Sequence, residues 1–185
     1  KVKIYYKRED TSPIHSYKLN SSYAQAFYAK KEGVKELIGE TGPGNWGLGL
    51  ALACKEFKLP VTIYMEKRNY VEKIEKVKYM KKLGANVIPI QTNEGTIAAS
   101  LSKAIEHVNK NKKNKLSLGC LSSYSALHNT VIGMELKMQM SENNIMPNAL
   151  ISVVGGGSSF SGLVFPFIEN YKNKTEFIAI ESAEI

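Results

Sequence analysis

Cysteine is scarce in this chain of 185 residues: Cys54 and Cys120 stand alone, both in apolar settings. Two cysteines make no disulfide framework, which fits a reducing cytoplasm. His, Cys, Asp and Glu never gather at the spacing of metal ligands, so no metal is expected. No apolar run reaches the roughly 18 residues that a membrane-crossing helix requires. A signal-peptide pattern, internal repeats and low-complexity linkers are likewise not seen. A soluble cytoplasmic protein with no membrane attachment is the plain expectation.

Acidic charge is also short, leaving a formal net charge of +8 and a pI near 9.3. Such a balance raises the question of nucleic acid. The lysines are nevertheless spread along KKEG, KRNYVEKIEKVKYMKK and NKNKKNK, among acids and on polar helix faces. The densest run, NKNKKNK, lacks interleaved aromatics and falls in a helix-to-strand connection. A solvated surface accounts for this charge, and no nucleic-acid partner is expected.

What is present is a regular alternation. Apolar, β-branched runs at 2–7, 35–40, 61–66, 85–90, 115–119, 149–155 and 175–181 read as strands. Helical patterns are expected at 21–33, 45–58, 95–110, 123–141 and 160–171. A further helix is expected within 70–84, with Val71, Ile74, Val77, Tyr79 or Met80, and Leu83 near one face. Strands alternating with helices of this length imply an α/β protein, a mainly parallel sheet with helices on both faces. Ligands of such sheets sit beyond the carboxyl ends of the strands.

Two glycine loops fall at such ends: ETGPGNWG at 40–47 and GGGSSFSG at 155–162. Each follows a strand and precedes a helix, where free backbone N–H groups and the helix dipole favour an anion. Ser158 and Ser159 add hydroxyls that suit a terminal phosphate, whereas Thr41 and its loop suit a carboxylate. A third feature is Lys18, set between a Ser-Pro turn and Asn20 at the head of a helix. One phosphate cradle, one carboxylate cradle and one placed lysine point to Schiff-base chemistry.

IYYKREDTSPIHSYKLN, ETGPGNWG, LSLGCLSSYSALHNTVIG and VVGGGSSFSGL, in that order and at comparable spacing, resemble the tryptophan synthase beta chains. Trp46, where common beta chains carry His, and LHNTVIG look like the second-type, standalone-like chains. The resemblance runs nearly from end to end. It implies a fold-type II pyridoxal-phosphate enzyme of two interleaved three-layer α/β domains with the cofactor between them. Residues 16–141 would form the cofactor-lysine domain, while 1–15 and 142–185 would belong to the second domain. Family members are about twice this length, so the chain is expected to be a partial copy, incomplete at both ends.

The resemblance also implies roles. Lys18 would bind pyridoxal 5'-phosphate covalently and shuttle protons at the substrate α-carbon. Asn20 would bond the phenolic oxygen, although a helix N-cap is its ordinary alternative. Tyr17, where many relatives carry His, would lie near the phosphate. Gly155, Gly156, Gly157, Ser158 and Ser159 would hold that phosphate, Ser159 standing where many relatives have Asn. Glu40 would be the acid-base carboxylate. Thr41, Gly42, Gly44, Asn45 and Trp46 would grip the substrate carboxylate, mostly through main-chain N–H groups, with Trp46 as plain core the alternative reading. Pro43 removes one such donor. His107, His128 and Glu135 are read as structural or surface residues.

The implied reaction converts L-serine and indole to L-tryptophan and water, in a homodimer that some members complete with a tryptophan synthase alpha chain. Rival readings are a serine or threonine dehydratase, a cysteine synthase, or a non-catalytic remnant of the same fold. Glu40 and LHNTVIG speak against the first two.

Overall fold

The computed structural model describes residues 2–91, 97–171 and 174–183, which form two compact units. Unit 2, Ser12–Leu118, contains α1 (Lys18–Lys31), β1 (Glu36–Thr41), α2 (Asn45–Glu56), β2 (Val61–Glu66), α3 (Lys67–Glu72), α4 (Ile74–Lys82), β3 (Asn86–Ile90), α5 (Ile97–Asn109) and β4 (Asn114–Ser117). Unit 1, Lys1–Thr11 with Gly119–Ile185, contains α6 (Ser123–Glu142), β5 (Ala149–Val153), α7 (Ser158–Tyr171) and β6 (Glu176–Ile180).

In unit 2 the strands run in the order β3-β2-β1-β4, and every pairing is parallel. Side chains alternate across β1. Leu37, Gly39 and Thr41 face α2, with Gly39 against Leu50 and Trp46 and Thr41 against Gly47. Glu36, on the other face, meets His107 of α5. Helices therefore cover both faces, as parallel strands require. The core lies on the α2 side, where Leu37, Leu50, Ala53, Cys54, Ile63, Met65, Val77 and Met80 are fully or nearly buried. Burial of each larger aliphatic side chain stabilises the fold by about 1.5–3 kcal/mol.

Local signals explain most boundaries. Ser12 accepts the Ser16 N–H at 3.0 Å and Ser16 accepts the Lys18 N–H at 3.3 Å, closing the Ser-Pro turn just where α1 begins. The expected helix within 70–84 is in fact two helices. The Glu66 carboxylate accepts the N–H groups of Arg68 and Asn69, starting α3 directly after β2, and the chain bends at Lys73 before α4. Val77, Met80 and Leu83 are buried as the periodicity requires, but Val71 at the end of α3 and Ile74 at the start of α4, on either side of the bend, are exposed. The helix expected at 95–110 is α5 from Ile97 onward; 95 and 96 lie outside the described residues.

Unit 1 has a two-stranded parallel sheet, β5 with β6, joined through α7. Here α6 lies against α7 at close range. A side chain at Gly133 would collide with the backbone oxygens of Leu163 and Gly162, and one at Gly162 with Asn129. That packing puts α6 in unit 1, so the chain crosses over at 11/12 and 118/119. Residues 119–141, expected in the lysine domain, go instead with 142–185. The strand expected at 2–7 is not formed. Val2, Ile4 and Tyr6 are exposed, and the arm is tied down by Lys7, whose ammonium donates to Glu9 and Glu135 at 2.8 Å each.

Candidate active site

Lys18 is the first residue of α1, and its ammonium lies 4.9 Å from the centre of the Tyr17 ring. Tyr17 occupies the N-cap position and Asn20 is the third residue of the helix, so the capping alternative for Asn20 does not hold. Glu40 is the penultimate residue of β1, at the carboxyl end of the sheet. Burial raises its carboxyl above the ordinary range, and the Lys18 ammonium pulls it partly back. The two groups therefore act on each other electrostatically in the folded unit. A carboxyl raised by burial and drawn back by a neighbouring ammonium is one whose proton can be exchanged, the behaviour needed of an acid-base group.

The turn after Glu40 is built for backbone donors. Gly44, with φ +95°, is the N-cap of α2, a conformation that glycine adopts without strain. Leu48 donates to the Gly44 carbonyl at 2.9 Å and Gly47 to the Thr41 hydroxyl at 3.1 Å. The N–H groups of Asn45 and Trp46 thus precede the first intrahelical bond, where an anion is favoured. Two side chains of this turn are directed inward. Thr41 is 1% exposed, its hydroxyl spent on Gly47, and Trp46 is 6% exposed within the core, its indole N–H buried without a hydrogen-bond partner. Asn45 is engaged as well: its side-chain oxygen accepts from the Lys76 ammonium at 2.6 Å, and the Pro43 carbonyl accepts from the same ammonium at 3.1 Å. Nothing in the sequence marks Lys76 among the lysines of α4.

In unit 1 the glycine turn leads from β5 into α7. Gly157 has φ +84°, and the space beside both Gly155 and Gly157 is open. Gly156 is different, because Cys120 packs where its side chain would be. One of the three glycines is therefore required by packing. Ser158 is buried and its hydroxyl donates to the Gly119 carbonyl at 3.3 Å, while the Ser159 and Ser152 hydroxyls share a bond of 3.1 Å. The first intrahelical bond here runs from Ser161 to Gly157, leaving the N–H groups of Ser158, Ser159 and Phe160 ahead of it.

Of the residues read as structural, His128 sits beside Tyr124 and burial lowers its pKa. Glu135 holds the N-terminal arm through Lys7. His107, read as a helix-surface residue, is half-buried and faces the sheet: the Tyr64 hydroxyl lies 3.2 Å from its Nδ1 and Glu36 3.6 Å from its Nε2. Periodicity placed it on α5 without showing that two strand residues reach it. Burial pushes the Cys54 thiol up to about 12, making it a poor nucleophile. Among the described residues no three His, Cys, Asp or Glu side chains are grouped to hold a metal, and no helix is long and apolar enough to cross a membrane.

A lysine beside a buried carboxylate at the end of a parallel sheet, in a chain that also carries two glycine-opened helix starts, describes an α/β enzyme that handles anionic groups. The chain belongs to the pyridoxal-phosphate dependent enzyme family, whose model matches residues 1–185. It is 38% identical over 198 aligned positions to Tryptophan synthase beta chain 2 of Pyrococcus abyssi, covering 97% of this chain and 45% of that protein. It is equally similar to Tryptophan synthase beta chain 2 of Methanothermobacter thermautotrophicus, covering 97% and 46%. The chain thus spans about half the length of the curated relatives it matches.

Solved structures share the fold at lower identity. The processed form of threonine deaminase isoform 2 from Solanum lycopersicum matches with TM-score 0.78 and 24% identity, over 94% of this chain and 45% of that one. Diaminopropionate ammonia lyase from Escherichia coli, in apo form, matches with TM-score 0.80 and 17% identity, over 95% and 53%. Each unit by itself carries groups suited to the family's cofactor. A phosphate finds open space beside Gly155 and Gly157 and the leading N–H groups of α7, and an aldehyde finds an amine in Lys18.

Proposed function

We propose that the chain carries the catalytic lysine and acid-base group of a pyridoxal-phosphate-dependent β-replacement lyase that makes L-tryptophan and water from L-serine and indole. The observation that carries this reading is Glu40, buried and acted on by Lys18, immediately before the anion-favouring turn at 42–46. The identity to tryptophan synthase beta chains supports the choice of substrates.

When bound, pyridoxal phosphate supplies the electron sink that lets bonds at the amino-acid α-carbon break. The chain's own residues divide the remaining work. Ser158 and Ser159 hold the phosphate through backbone N–H groups, with Gly155 and Gly157 leaving it room. Asn20 orients the ring through its phenolic oxygen, and Tyr17 lies near the phosphate. Lys18 holds the cofactor and then moves the proton at the serine α-carbon. Gly42, Gly44, Asn45 and Trp46 fix the serine carboxylate through main-chain N–H groups at the start of α2, with Thr41 acting through its bond to Gly47. Glu40 gives a proton to the departing serine hydroxyl, which leaves as water, and takes one from indole as its carbon joins the serine β-carbon. Orientation of the two reactants contributes alongside proton transfer.

The test is to load the protein with pyridoxal phosphate and supply L-serine with and without indole. Tryptophan formation that requires both supports the reading. Release of pyruvate and ammonia from serine, with indole ignored, would make it a dehydratase, and no turnover of either kind would make it a binding remnant.

A further inference from the structure

The turn at 42–46 contains a cation that the reaction described above does not use. Lys76 reaches from α4 to donate to the Pro43 carbonyl at 3.1 Å and to the Asn45 side-chain oxygen at 2.6 Å. Its stem lies over Gly44, with Cδ 3.0 Å from the position a Gly44 side chain would take. We propose that Lys76 is the positioning residue of this turn, clamping Pro43 and Asn45 on either side of Gly44 and giving the turn the positive charge that selects an amino acid with a free carboxylate. The proposal rests on the reading of 41–46 as the carboxylate-binding turn.

Three physical points support it. Proline has no N–H, so Pro43 contributes only an acceptor to a turn meant to receive an anion. That carbonyl and the Asn45 amide oxygen are two partial negative charges, and a carboxylate would be repelled unless both were occupied. Lys76 occupies both. Its position beside the start of α2 is also unfavourable for a cation, since the helix dipole is positive there. Burial and then neighbouring Lys73 hold its ammonium below the ordinary lysine range. A bound carboxylate is the partner that relieves this crowding of positive charge, and the relief appears as affinity for the anion.

The experiment compares L-serine with L-serinamide, which has the same side chain and amine but no carboxylate. Binding of each to the cofactor-loaded full chain is measured by calorimetry for the unsubstituted protein and for Lys76→Arg, Lys76→Gln and Lys76→Met. Backbone amides of Gly42, Gly44 and Asn45 are followed by NMR. Loss of one placed, hydrogen-bonded charge is expected to weaken L-serine about tenfold in Lys76→Gln while L-serinamide binding stays constant, and Lys76→Arg should restore most of the loss. Lys76→Met should lose at least as much for L-serine and shift the turn amides. If it does not fold, the glutamine and arginine variants carry the comparison.

Equal weakening of both ligands would overturn the proposal by making Lys76 a purely structural clamp. Unchanged L-serine binding in every variant, with the turn amides still responding to serine, would overturn it and leave the carboxylate turn standing. A serine titration that moves none of these amides in the unsubstituted protein would overturn both.

Discussion

Glu40 is a carboxylate held where its charge is unfavourable. Its folded pKa is raised by burial and only partly restored by Lys18, so the proton stabilises the folded state relative to the unfolded one. That contribution is complete below the unfolded value, about pH 4.3, and is lost as pH rises through the folded value. Glu40→Gln keeps the shape and removes the charge. It should therefore melt higher than the unsubstituted protein at pH 8, with the gap closing as pH falls towards 4; a lower melting point at pH 8 would contradict the burial argument. The same change should reduce tryptophan formation by about 10²–10⁴ while pyridoxal-phosphate binding persists, measured by turnover and by cofactor absorbance. Near-normal turnover would remove Glu40 from the chemistry. Residue types at this scale were legible in the sequence, but directions were not. Lys18 at the head of a helix and Glu40 at the end of a strand were legible from their neighbours, whereas the inward path of the Thr41 side chain was not. Whether a hydroxyl meets a ligand or Gly47 depends on the path of a turn that spacing alone does not specify.

The elements were largely readable because parallel strands buried on both faces leave long apolar runs and their helices leave a clear period. The strands from β1 to β6 all lie within two residues of expectation at either end. The misreadings have local causes. Residues 2–7 are rich in β-branched and aromatic residues but find no strand to pair with, so propensity yields to the absence of a partner. The segment 67–82 carries a helical period throughout, yet Glu66 captures two backbone N–H groups and starts a separate short helix ahead of the bend at Lys73. Contact between α6 and α7 was not foreseen, because Gly133 and Gly162 inside their helical runs reveal no partner until the opposing backbone is seen. It makes a sharp prediction. Gly133→Ala would place a carbon 2.4 Å from the Leu163 oxygen, and backbone cannot yield as a flexible side chain would. Destabilisation of about 1–3 kcal/mol is expected in urea unfolding, and an unchanged midpoint would show that the two helices separate freely.

Across the whole molecule the two units are unequal. Unit 2 encloses an extensive core running from Ile14 to Val87, while the buried cluster of unit 1 centres on Met140, Leu150 and Phe167 and leaves Leu127, Met134, Met138 and Phe165 exposed. Local stability follows buried apolar contact, so amide hydrogen exchange should be slowest in β1 and β2 and faster in α6, α7 and β5. The reverse order would contradict this assignment of the stable core. Function at this scale reduces to selectivity. In a chain with 25 lysine and arginine residues, the account requires that one amine, Lys18, reacts with pyridoxal phosphate. Borohydride reduction of the cofactor-loaded protein, followed by peptide mapping, tests this most directly: the account predicts a single pyridoxyl group on Lys18, and a label on any other lysine, or none on Lys18, would contradict it.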